Sequence, residues 1–363
     1  MGFQCGIVGL PNVGKSTIFN ALTGAGAQMA NYPFCTIDPN RGIVAVPDDR
    51  LYHIAELLHK KDPVPTRIEF IDIAGLVKGA SKGEGLGNRF LSHIREVEAI
   101  VHVVRCFNND DVAHVTGEVD PVRDVEIINT ELLLADIETL ERALEKMEKR
   151  TRSGDKEAQA NCERLGRMID HLNQGQFIRS MEMSSEESQL IYEYGLLTAK
   201  PVLYVANIDE NDAGKESLSQ LKKLAADENA VVVEITGSIE EEIAELPDDE
   251  KQEYLEAMGL EESGLRRLIS ASYTLLGLIT FYTVTTNLQA WTVKKGTRAP
   301  RGAGQIHTDF EKGFIRAEVF QYDELIQAGS EQRLKELGNL RSEGKEYIIK
   351  DGDIIHFLFN VQG

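Results

Sequence analysis

The chain has 363 residues, of which 42% are hydrophobic and 27% are charged, and its formal net charge is −20. This composition excludes an intrinsically disordered or fibrous protein. No apolar run approaches the roughly 18 residues that span a bilayer. The amino-terminal residues also lack the pattern of a signal peptide. The negative charge argues against indiscriminate binding to DNA, whose phosphates would repel it. We therefore predict a cytoplasmic protein without a membrane or DNA partner, although local basic regions leave RNA binding open.

Short apolar segments alternate with helical patterns through much of the chain. Near-continuous apolar runs at residues 99–104 and 201–206 are typical of strands that are buried on both faces of a parallel sheet. Strands are predicted at residues 3–9, 42–46, 67–73, 99–104, 201–206 and 231–235. Their alternation with helices predicts an α/β protein with a doubly wound sheet.

Residues 122–200 interrupt this alternation. Helical spacing continues from Val125 to Met147, a turn follows at residues 151–155, and residues 156–173 are helical again. The length of these segments favours an inserted antiparallel coiled-coil hairpin over an ordinary pair of crossover helices.

The character of the chain changes again after residue 280. Aromatic and β-branched runs return, with one helical pattern at about residues 323–339, which predicts a small, separate α+β domain. The predicted domains are a sheet domain in two parts (1–121 and 201–280), the helical insertion (122–200) and the carboxy-terminal domain (281–363).

A phosphate-binding loop follows the first predicted strand. The sequence Gly-Leu-Pro-Asn-Val-Gly-Lys-Ser, which ends at Ser16, fits G-x-x-x-x-G-K-[ST] between a strand and a helix. The successive backbone N–H groups of this motif, here including those of Val13 and Gly14, surround the β-phosphate together with the helix N-terminus. Lys15 is predicted to bind the β- and γ-phosphates, Ser16 to bind Mg²⁺, and Thr17 to donate to the α-phosphate.

A D-x-x-G motif, Asp72-Ile-Ala-Gly75, ends the strand predicted at residues 67–73. Asp72 is predicted to hold Mg²⁺ through water, and the N–H of Gly75 to contact the γ-phosphate. The polar, proline-broken segment between the two motifs predicts a switch loop in which Thr36, chosen by its position, reaches Mg²⁺. The glycine-rich segment 78–87 predicts a second, mobile switch.

The base-recognition sequence departs from that of a GTPase. A guanine-binding protein has Asn-Lys-x-Asp after the strand at residues 201–206, whereas this chain has Asn207-Ile208-Asp209-Glu210. Glu210 is one methylene longer than the usual Asp, and a misplaced acceptor leaves buried guanine donors unpaired. Ile208 replaces the Lys that forms a stacking wall, and the amide of Asn207 can bond the amino group and a ring nitrogen of adenine. We therefore predict that ATP is preferred over GTP.

The group that positions the attacking water is not evident from the sequence. Ras-like enzymes place Gln directly after D-x-x-G, where this chain has Leu76. Asn12 is a candidate to hold a monovalent cation such as K⁺ in place of an arginine finger. His114 or His93 is a candidate to approach the γ-phosphate, with a surface or packing role as the alternative for each. Hydrolysis is therefore predicted to be slow or to depend on a partner.

Two basic regions are candidates for RNA binding, and a solvated loop is the alternative for each. One is the tip of the helical hairpin, and the other lies beside an aromatic residue in segment 281–308, which has no acidic residue. The candidate residues are Lys146, Lys149, Arg150 and Arg152 in the first region, and Trp291, Lys294, Lys295, Arg298 and Arg301 in the second.

Taken together, these motifs resemble the YchF, or Obg-like ATPase, family over essentially the whole chain. The matching segments are the phosphate-binding loop, residues 31–39, residues 72–88, the Asn-x-x-Glu sequence at residues 207–210, and residues 307–319. The resemblance implies a P-loop NTPase domain of the translation-factor-related class, an inserted coiled coil and a carboxy-terminal ubiquitin-like TGS domain. It also implies a preference for ATP over GTP and association with the ribosome, and members of the family likewise have Leu after D-x-x-G.

The leading hypothesis is a cytosolic, Mg²⁺-dependent ATPase switch that binds ribosomes or ribosomal RNA. One alternative is a GTP-regulated RNA- or protein-binding switch with little intrinsic hydrolysis. A further alternative is a nucleotide-sensing scaffold in which residues 201–280, with 18 acidic and 6 basic side chains, contact basic proteins.

Overall fold

The computed structural model describes residues 3–28, 40–73, 86–108, 118–152, 154–210, 214–285 and 287–360. Contacts between residues divide the chain into one unit of residues 3–42 and 69–268 and a second unit of residues 43–68 and 269–363. Thr36, Gly75 and His114 lie outside the described residues, as do Leu76 and most of the two predicted switch segments.

The larger sheet has six strands, and its parallel pairs confirm the doubly wound α/β prediction. The strands are β1 (Gln4–Val8), β2 (Arg41–Ala45), β3 (Arg67–Asp72), β4 (Ala99–Arg105), β5 (Val202–Asn207) and β6 (Val231–Ile235). Their spatial order is β2-β3-β1-β4-β5-β6, and the pairs β1–β3, β1–β4, β4–β5 and β5–β6 are parallel. Every residue of β4 and β5 is buried, which explains their near-continuous apolar sequences.

Helices connect these strands, and the longest belong to the predicted insertion. They are α1 (Lys15–Gln28), α2 (Asp49–Leu57), α3 (Leu86–Glu96), α4 (Pro121–Thr151), α5 (Lys156–Asn173), α6 (Ser185–Tyr194), α7 (Lys215–Asp227), α8 (Gly237–Glu245), α9 (Asp248–Ala257) and α10 (Gly264–Leu275). None of the helices in the described part of the chain combines the length and the apolar character needed to cross a membrane.

The helical hairpin is confirmed, and α4 extends beyond the predicted segment at both ends. Asp120 caps α4 by accepting from the N–H of Arg123, and Pro121 occupies its first turn, where a missing N–H costs nothing. Asp155 caps α5 in the same way, so the chain reverses between the two caps. The hairpin has an apolar core that includes Leu140, Leu165, Met168 and Leu172.

A partly buried polar cluster joins the insertion to the sheet. The carboxylate of Glu228, next to the end of α7, forms an ion pair with Arg179 of the insertion at 2.7 Å and accepts from the hydroxyl of Tyr204 in β5 at 2.9 Å. Asn129 of α4 donates to the same carboxylate at 3.4 Å. The insertion is therefore held to the sheet by hydrogen bonds as well as by apolar packing.

The second sheet has five strands and confirms a small α+β domain in the carboxy-terminal part. Its strands are β7 (Leu278–Thr283), β8 (Gln289–Lys294), β9 (Phe314–Gln321), β10 (Arg341–Glu343) and β11 (Asp353–Phe359), in the order β10-β9-β11-β7-β8. The pair β7–β11 is parallel, whereas β7–β8, β9–β11 and β9–β10 are antiparallel. The accompanying helices are α11 (Ala299–Ile306), α12 (Thr308–Lys312), α13 (Tyr322–Ala328) and α14 (Glu331–Glu336).

The single helix predicted at residues 323–339 is wrong, because two short helices occupy this segment. Gly329 has a φ of 75° and ends α13 in the left-handed region that favours glycine. Ser330 then caps α14 by accepting from the N–H of Arg333. A Gly-Ser pair thus stops one helix and starts the next.

Residues 43–68 differ from the predicted domain boundaries, because they join the second unit. Helix α2 contributes Leu51 and Ile54 to a core that also contains Tyr282 and Leu288. The amphipathic sequence of α2 predicts a buried face, but it carries no information about which of two cores that face joins.

Candidate nucleotide-binding site

The loop between β1 and α1 has the backbone geometry of an anion-binding site. Asn12 and Gly14 have φ values of 65° and 87°, and turns with left-handed residues of this kind form nests of backbone N–H groups. A Cβ atom on Gly14 would lie 2.1 Å from Nδ2 of Asn207, so only glycine fits at this position. The loop leads directly into α1, whose N-terminus adds its dipole.

The two predicted phosphate-site motifs meet in the structure. Lys15 begins α1, Asp72 ends β3, and their ammonium and carboxylate groups form an ion pair. The pairing of β1 with β3, which sets Ile7 opposite Asp72, brings the carboxyl ends of both strands to the same edge of the sheet. The structure therefore places Asp72 beside the phosphate-binding loop, as the sequence predicts.

A cavity of about 740 Å³ lies along this loop and the loops that follow β4, β5 and β6. Most of the predicted nucleotide-binding residues line it, namely Asn12, Gly14, Lys15, Ser16, Thr17, Asn207 and Ile208. Gly237 and Ser238 at the start of α8 complete one side. A cavity of this size at the carboxyl ends of parallel strands is where open α/β sheets bind ligands.

Two predicted residues are placed differently from the rest. The side chain of Val13 is buried, so only its backbone serves the loop. Glu210 lines a neighbouring cavity rather than this one, and its role in base recognition stays a prediction. The Ser238 hydroxyl donates to its carboxylate at 3.2 Å, which holds the side chain at that edge.

Asn207 holds two loops of the site together. Its Nδ2–H donates to the carbonyl oxygen of Val13 at 2.9 Å, and its Oδ1 accepts from the N–H of Gly237 at 3.2 Å. The side chain is 5% exposed. These bonds use half of the hydrogen-bonding capacity of the amide, which leaves one N–H and one lone pair for a base. Its principal role in the structure is thus to position the phosphate-binding loop, and adenine recognition stays a prediction.

Phe107 and Asn108 line the cavity, and the sequence analysis missed both. Phe107 is held by Arg105, whose guanidinium lies 4.5 Å from the centre of the aromatic ring and whose Nε–H donates to the Phe107 carbonyl at 3.1 Å. Their position was available in the sequence, because they lie just beyond the end of β4, a central strand of the parallel sheet.

The histidine candidates are not brought to the site by the described residues. His93 lies on the exposed side of α3, and His114 is outside the described part of the chain. The water-positioning role predicted for these residues therefore stays a prediction.

The two basic regions differ in how far their charges are paired. At the hairpin tip all four basic residues are exposed, and Arg150 forms an ion pair with Asp155 at 2.9 Å. In the second region Arg298 pairs with Glu346 at 3.1 Å and Arg301 approaches Glu311 at 3.5 Å. Acidic residues from elsewhere in the chain thus partly neutralise a segment that has none of its own.

The side chain of Trp291 mainly stabilises the fold of the second sheet. It packs against the core of the second sheet, and its Nε1–H donates to the hydroxyl of Thr283 at 2.9 Å. Lys294 and Lys295 are exposed at the end of β8. Of the second region, the two lysines therefore offer the most accessible positive charge.

Family models and curated relatives match almost the whole chain. Residues 4–135 match the MMR_HSR1 family, described as a 50S ribosome-binding GTPase, and residues 278–360 match the YchF-GTPase_C family, described as a protein of unknown function (DUF933). The chain is 54% identical over 366 residues to the Ribosome-binding ATPase YchF of Bacillus subtilis, which covers 99% of this chain and 100% of the relative. It is 52% identical over 363 residues to the Ribosome-binding ATPase YchF of Escherichia coli O157:H7, with the same coverage.

Solved structures show the same fold. The YchF GTPase of Schizosaccharomyces pombe superposes with a TM-score of 0.89 at 39% identity and covers 98% of both chains. A GTP binding protein from Pyrococcus horikoshii OT3 superposes with a TM-score of 0.62, covering 99% of this chain and 100% of its own. Its identity of 20% supports a shared fold alone.

Proposed function

This chain belongs to the YchF family, and we propose that its phosphate-binding loop, Asp72, Asn207 and Ile208 form the Mg²⁺–ATP site of a ribosome-binding ATPase. The chain is an ATPase whose macromolecular partner is the ribosome, like the curated relatives that it matches over 99% of its length. The structural observation that carries the proposal is the convergence of the phosphate-binding loop, Asn207 and Ile208 around one cavity, with Asp72 paired to Lys15 of that loop.

Each phosphate-site residue has a role that follows from its position. Lys15 binds the β- and γ-phosphates as a point charge, while the backbone nest of residues 12–14 cradles the β-phosphate. Ser16 lines the cavity and follows Lys15 in the chain, and the Asp72 carboxylate forms an ion pair with the Lys15 ammonium group. Ser16 is therefore proposed as an oxygen ligand of the type that Mg²⁺ prefers, and Asp72 is proposed to hold the metal through water. When bound, Mg²⁺ supplies charge neutralisation at the phosphate oxygens. Thr36 is proposed as a further Mg²⁺ ligand on its sequence position alone.

The base is proposed to lie between Ile208 and Phe107, which both line the cavity. Their apolar surfaces can contact any base, so the discrimination between adenine and guanine must come from hydrogen bonds. The remaining N–H and lone pair of Asn207 match the acceptor and donor of the adenine edge. Glu210, at the position of the guanine-reading Asp, does not line the cavity, which supports a preference for ATP over GTP.

Side-by-side equilibrium titration with ATP and GTP in the presence of Mg²⁺ tests this assignment. ATP is expected to bind at least tenfold more tightly, a difference of about 1.4 kcal/mol. Equal or tighter binding of GTP would mean that a carboxylate of residues 207–210 reads guanine, and it would favour the GTP-regulated alternative.

Ribosome binding is tested by sedimentation through a sucrose cushion. The exposed lysines and arginines of the hairpin tip are proposed to contact ribosomal RNA, because their charge is accessible and RNA binding through phosphates weakens with salt. A variant with Lys146, Lys149 and Arg152 changed to Ala is expected to sediment less than a matched variant with Lys294 and Lys295 changed to Ala. Loss in only the second variant would move the contact to the carboxy-terminal domain, and failure of the unchanged protein to sediment at low salt would contradict ribosome binding.

Asn12 is proposed to hold K⁺ during hydrolysis. It is exposed and lines the cavity within the phosphate-binding loop. Replacing K⁺ with Na⁺ at constant ionic strength is expected to slow hydrolysis without changing ATP affinity. The same turnover rate in both salts would remove this role from Asn12.

A further inference from the structure

A second cavity, of about 520 Å³, shares a wall with the nucleotide cavity. Ile208 and Asp209 line both cavities, so a two-residue segment separates them. The remaining lining comes from β6 and from helices α8 and α10 with the segment that precedes α10. The nucleotide assigned to the first cavity gives this second cavity no role.

The lining of the second cavity combines an apolar surface with carboxylates. Val232, Val233, Ile239, Leu260 and Met258 provide the apolar part. Met258 is 42% exposed, and an exposed methionine is a flexible, polarisable contact surface. Asp209, Glu210, Glu234 and Glu240 provide four carboxylates, against Arg267 as the basic residue of the lining.

Three of the four carboxylates already have partners. Glu240 is buried and accepts from the N–H of Gly264 at 2.6 Å, at the start of α10. Glu234 forms an ion pair with Lys222 at 2.5 Å, and Glu210 accepts from a serine hydroxyl. Arg267 donates to the backbone carbonyl of Glu234 at 2.9 Å, which holds its guanidinium at that strand.

Asp209 differs from these residues. Its Oδ1 atom is shielded from solvent and has no hydrogen-bond partner within the described part of the chain. A shielded carboxylate oxygen without a donor carries a desolvation cost that a bound N–H group would remove. Asp209, which lines both cavities, therefore adds an unsatisfied acceptor to a lining that combines an apolar surface with more acidic than basic side chains.

We propose that this second cavity docks a basic polypeptide segment through an arginine or lysine side chain. The aliphatic stem of that side chain lies against Ile239, Leu260 and Met258, and its charged head donates to Asp209. Lysine and arginine commonly bury the stem on an apolar surface in this way while the charged head stays in polar surroundings. Charge complementarity supports this occupant, because residues 201–280 carry 18 acidic and 6 basic side chains. RNA is disfavoured because the same charges repel phosphates. A bound metal ion is disfavoured because the described residues contain no metal-binding group of three or more His, Cys, Asp or Glu.

Direct binding to the full-length protein tests the proposal without reference to ATP hydrolysis. The probe is a fluorescein-labelled hexapeptide of alternating arginine and leucine, followed by anisotropy at low salt. One control peptide has citrulline in place of arginine, which keeps the shape and removes the charge, and another has serine in place of leucine. Both controls are expected to bind at least tenfold more weakly, because each lacks one half of the predicted recognition.

Matched variants locate the site. Met258→Lys places a positive charge, the same sign as that of the arginine peptide, at the exposed edge of the cavity and away from the nucleotide cavity. It is expected to weaken peptide binding at least tenfold while leaving ATP affinity unchanged. Asp209→Asn removes the carboxylate whose Oδ1 atom has no partner, and it is expected to weaken peptide binding to a similar extent. Glu253→Gln removes one negative charge from an exposed position on α9 outside the cavity, and is expected to change binding less than twofold.

Three results would overturn the proposal. One is equal binding of the arginine and citrulline peptides, which would exclude recognition of charge. Another is equal loss of binding in Met258→Lys and Glu253→Gln, which would indicate diffuse attraction to the acidic surface. The third is tighter binding of hexauridine than of the arginine-leucine peptide, which would assign the cavity to RNA. In each case the ATP affinity of the unchanged protein still reports on the proposed function separately.

Discussion

Lys15 and Asp72 form an ion pair between side chains that are 11% and 18% exposed. One residue begins α1 and the other ends β3, so the pair bridges the two motifs of the phosphate site. The same two groups are assigned to phosphates and to Mg²⁺. On the proposed assignment, binding of Mg²⁺–ATP requires Lys15 to exchange a carboxylate for phosphate oxygens, and it leaves Asp72 available to the metal.

Asp72→Asn is expected to have opposite effects with and without Mg²⁺. Without the metal, the variant should bind ATP about fivefold more tightly, because Lys15 no longer gives up an ion pair worth ~1 kcal/mol. With Mg²⁺, hydrolysis should fall by about a hundredfold, since the carboxylate that holds the metal is lost. Calorimetric titration in EDTA and steady-state turnover in Mg²⁺ measure the two effects.

Glu69→Gln is the matched control, because it removes a carboxylate from the same strand that pairs with Arg41 rather than with Lys15. It is expected to change neither measurement by more than twofold. Weaker ATP binding by Asp72→Asn in EDTA would contradict a competition between Asp72 and phosphate for Lys15.

Asn207→Ala is expected to destabilise the fold as well as to weaken nucleotide binding. The substitution leaves the carbonyl of Val13 and the N–H of Gly237 without their partner, and each unsatisfied buried group costs about 1–3 kcal/mol. Urea unfolding and ATP titration report the two effects. Asn20→Ala, at an exposed position on α1, should lower the free energy of unfolding by less than ~0.5 kcal/mol. Unchanged stability of Asn207→Ala would show that these bonds do not position the loop.

The position and backbone geometry of the phosphate-binding loop were predictable from the sequence because they depend on local spacing. Gly14 and Lys15 follow a strand and open a helix, and this local context is what the motif specifies. Asp72 was predictable for a related reason, since the carboxyl ends of parallel strands meet at one edge of the sheet.

Features that depend on long-range packing were not predictable in this way. The bonds of Asn207 to Val13 and Gly237 join residues separated by 194 and 30 positions. The apolar pattern of α2 predicts that one face of the helix is buried, but it does not show what that face packs against. Its partners Tyr282 and Leu288 lie more than 200 positions away in the chain.

Phe107→Ala is expected to weaken ATP and GTP binding by about the same factor. The ring lines the cavity and offers a face on which any base can stack, and such stacking contributes about 1–3 kcal/mol. Equilibrium titration should therefore show a loss of about tenfold or more for both nucleotides. Unchanged affinity for both would place the base away from Phe107.

The combined substitution Ile208→Lys and Glu210→Asp should instead change the ratio of the two affinities. It restores the Asn-Lys-x-Asp sequence, whose carboxylate accepts from two guanine donors that adenine lacks. The ratio of GTP to ATP affinity is expected to rise at least tenfold. Ile208→Leu is the control for an altered side chain without a new charge, and it should leave the ratio unchanged. An unaltered ratio in the double variant would mean that the base does not contact residues 207–210.

The buried histidine of β4 should make the stability of the fold depend on pH. His102 is 1% exposed and lies 5.5 Å from the ring of Tyr204, centre to centre. Burial, together with a smaller effect of the positive charge of Arg179, lowers the pKa of His102 to about 3. His102 is therefore neutral in the folded protein at every pH near neutrality.

His102→Gln is expected to reduce the loss of stability in mild acid. Below its ordinary pKa of about 6.5, the histidine gains a proton in the unfolded chain but not in the folded one, so the free energy of unfolding falls as the pH decreases toward 3. Between pH 7.5 and pH 5 this contributes about 2 kcal/mol of destabilisation that the variant lacks. Urea unfolding of both proteins at the two pH values measures the difference, and His93→Gln, at an exposed position on α3, should behave like the unchanged protein. Parallel pH dependence of the unchanged protein and His102→Gln would show that His102 becomes protonated inside the fold.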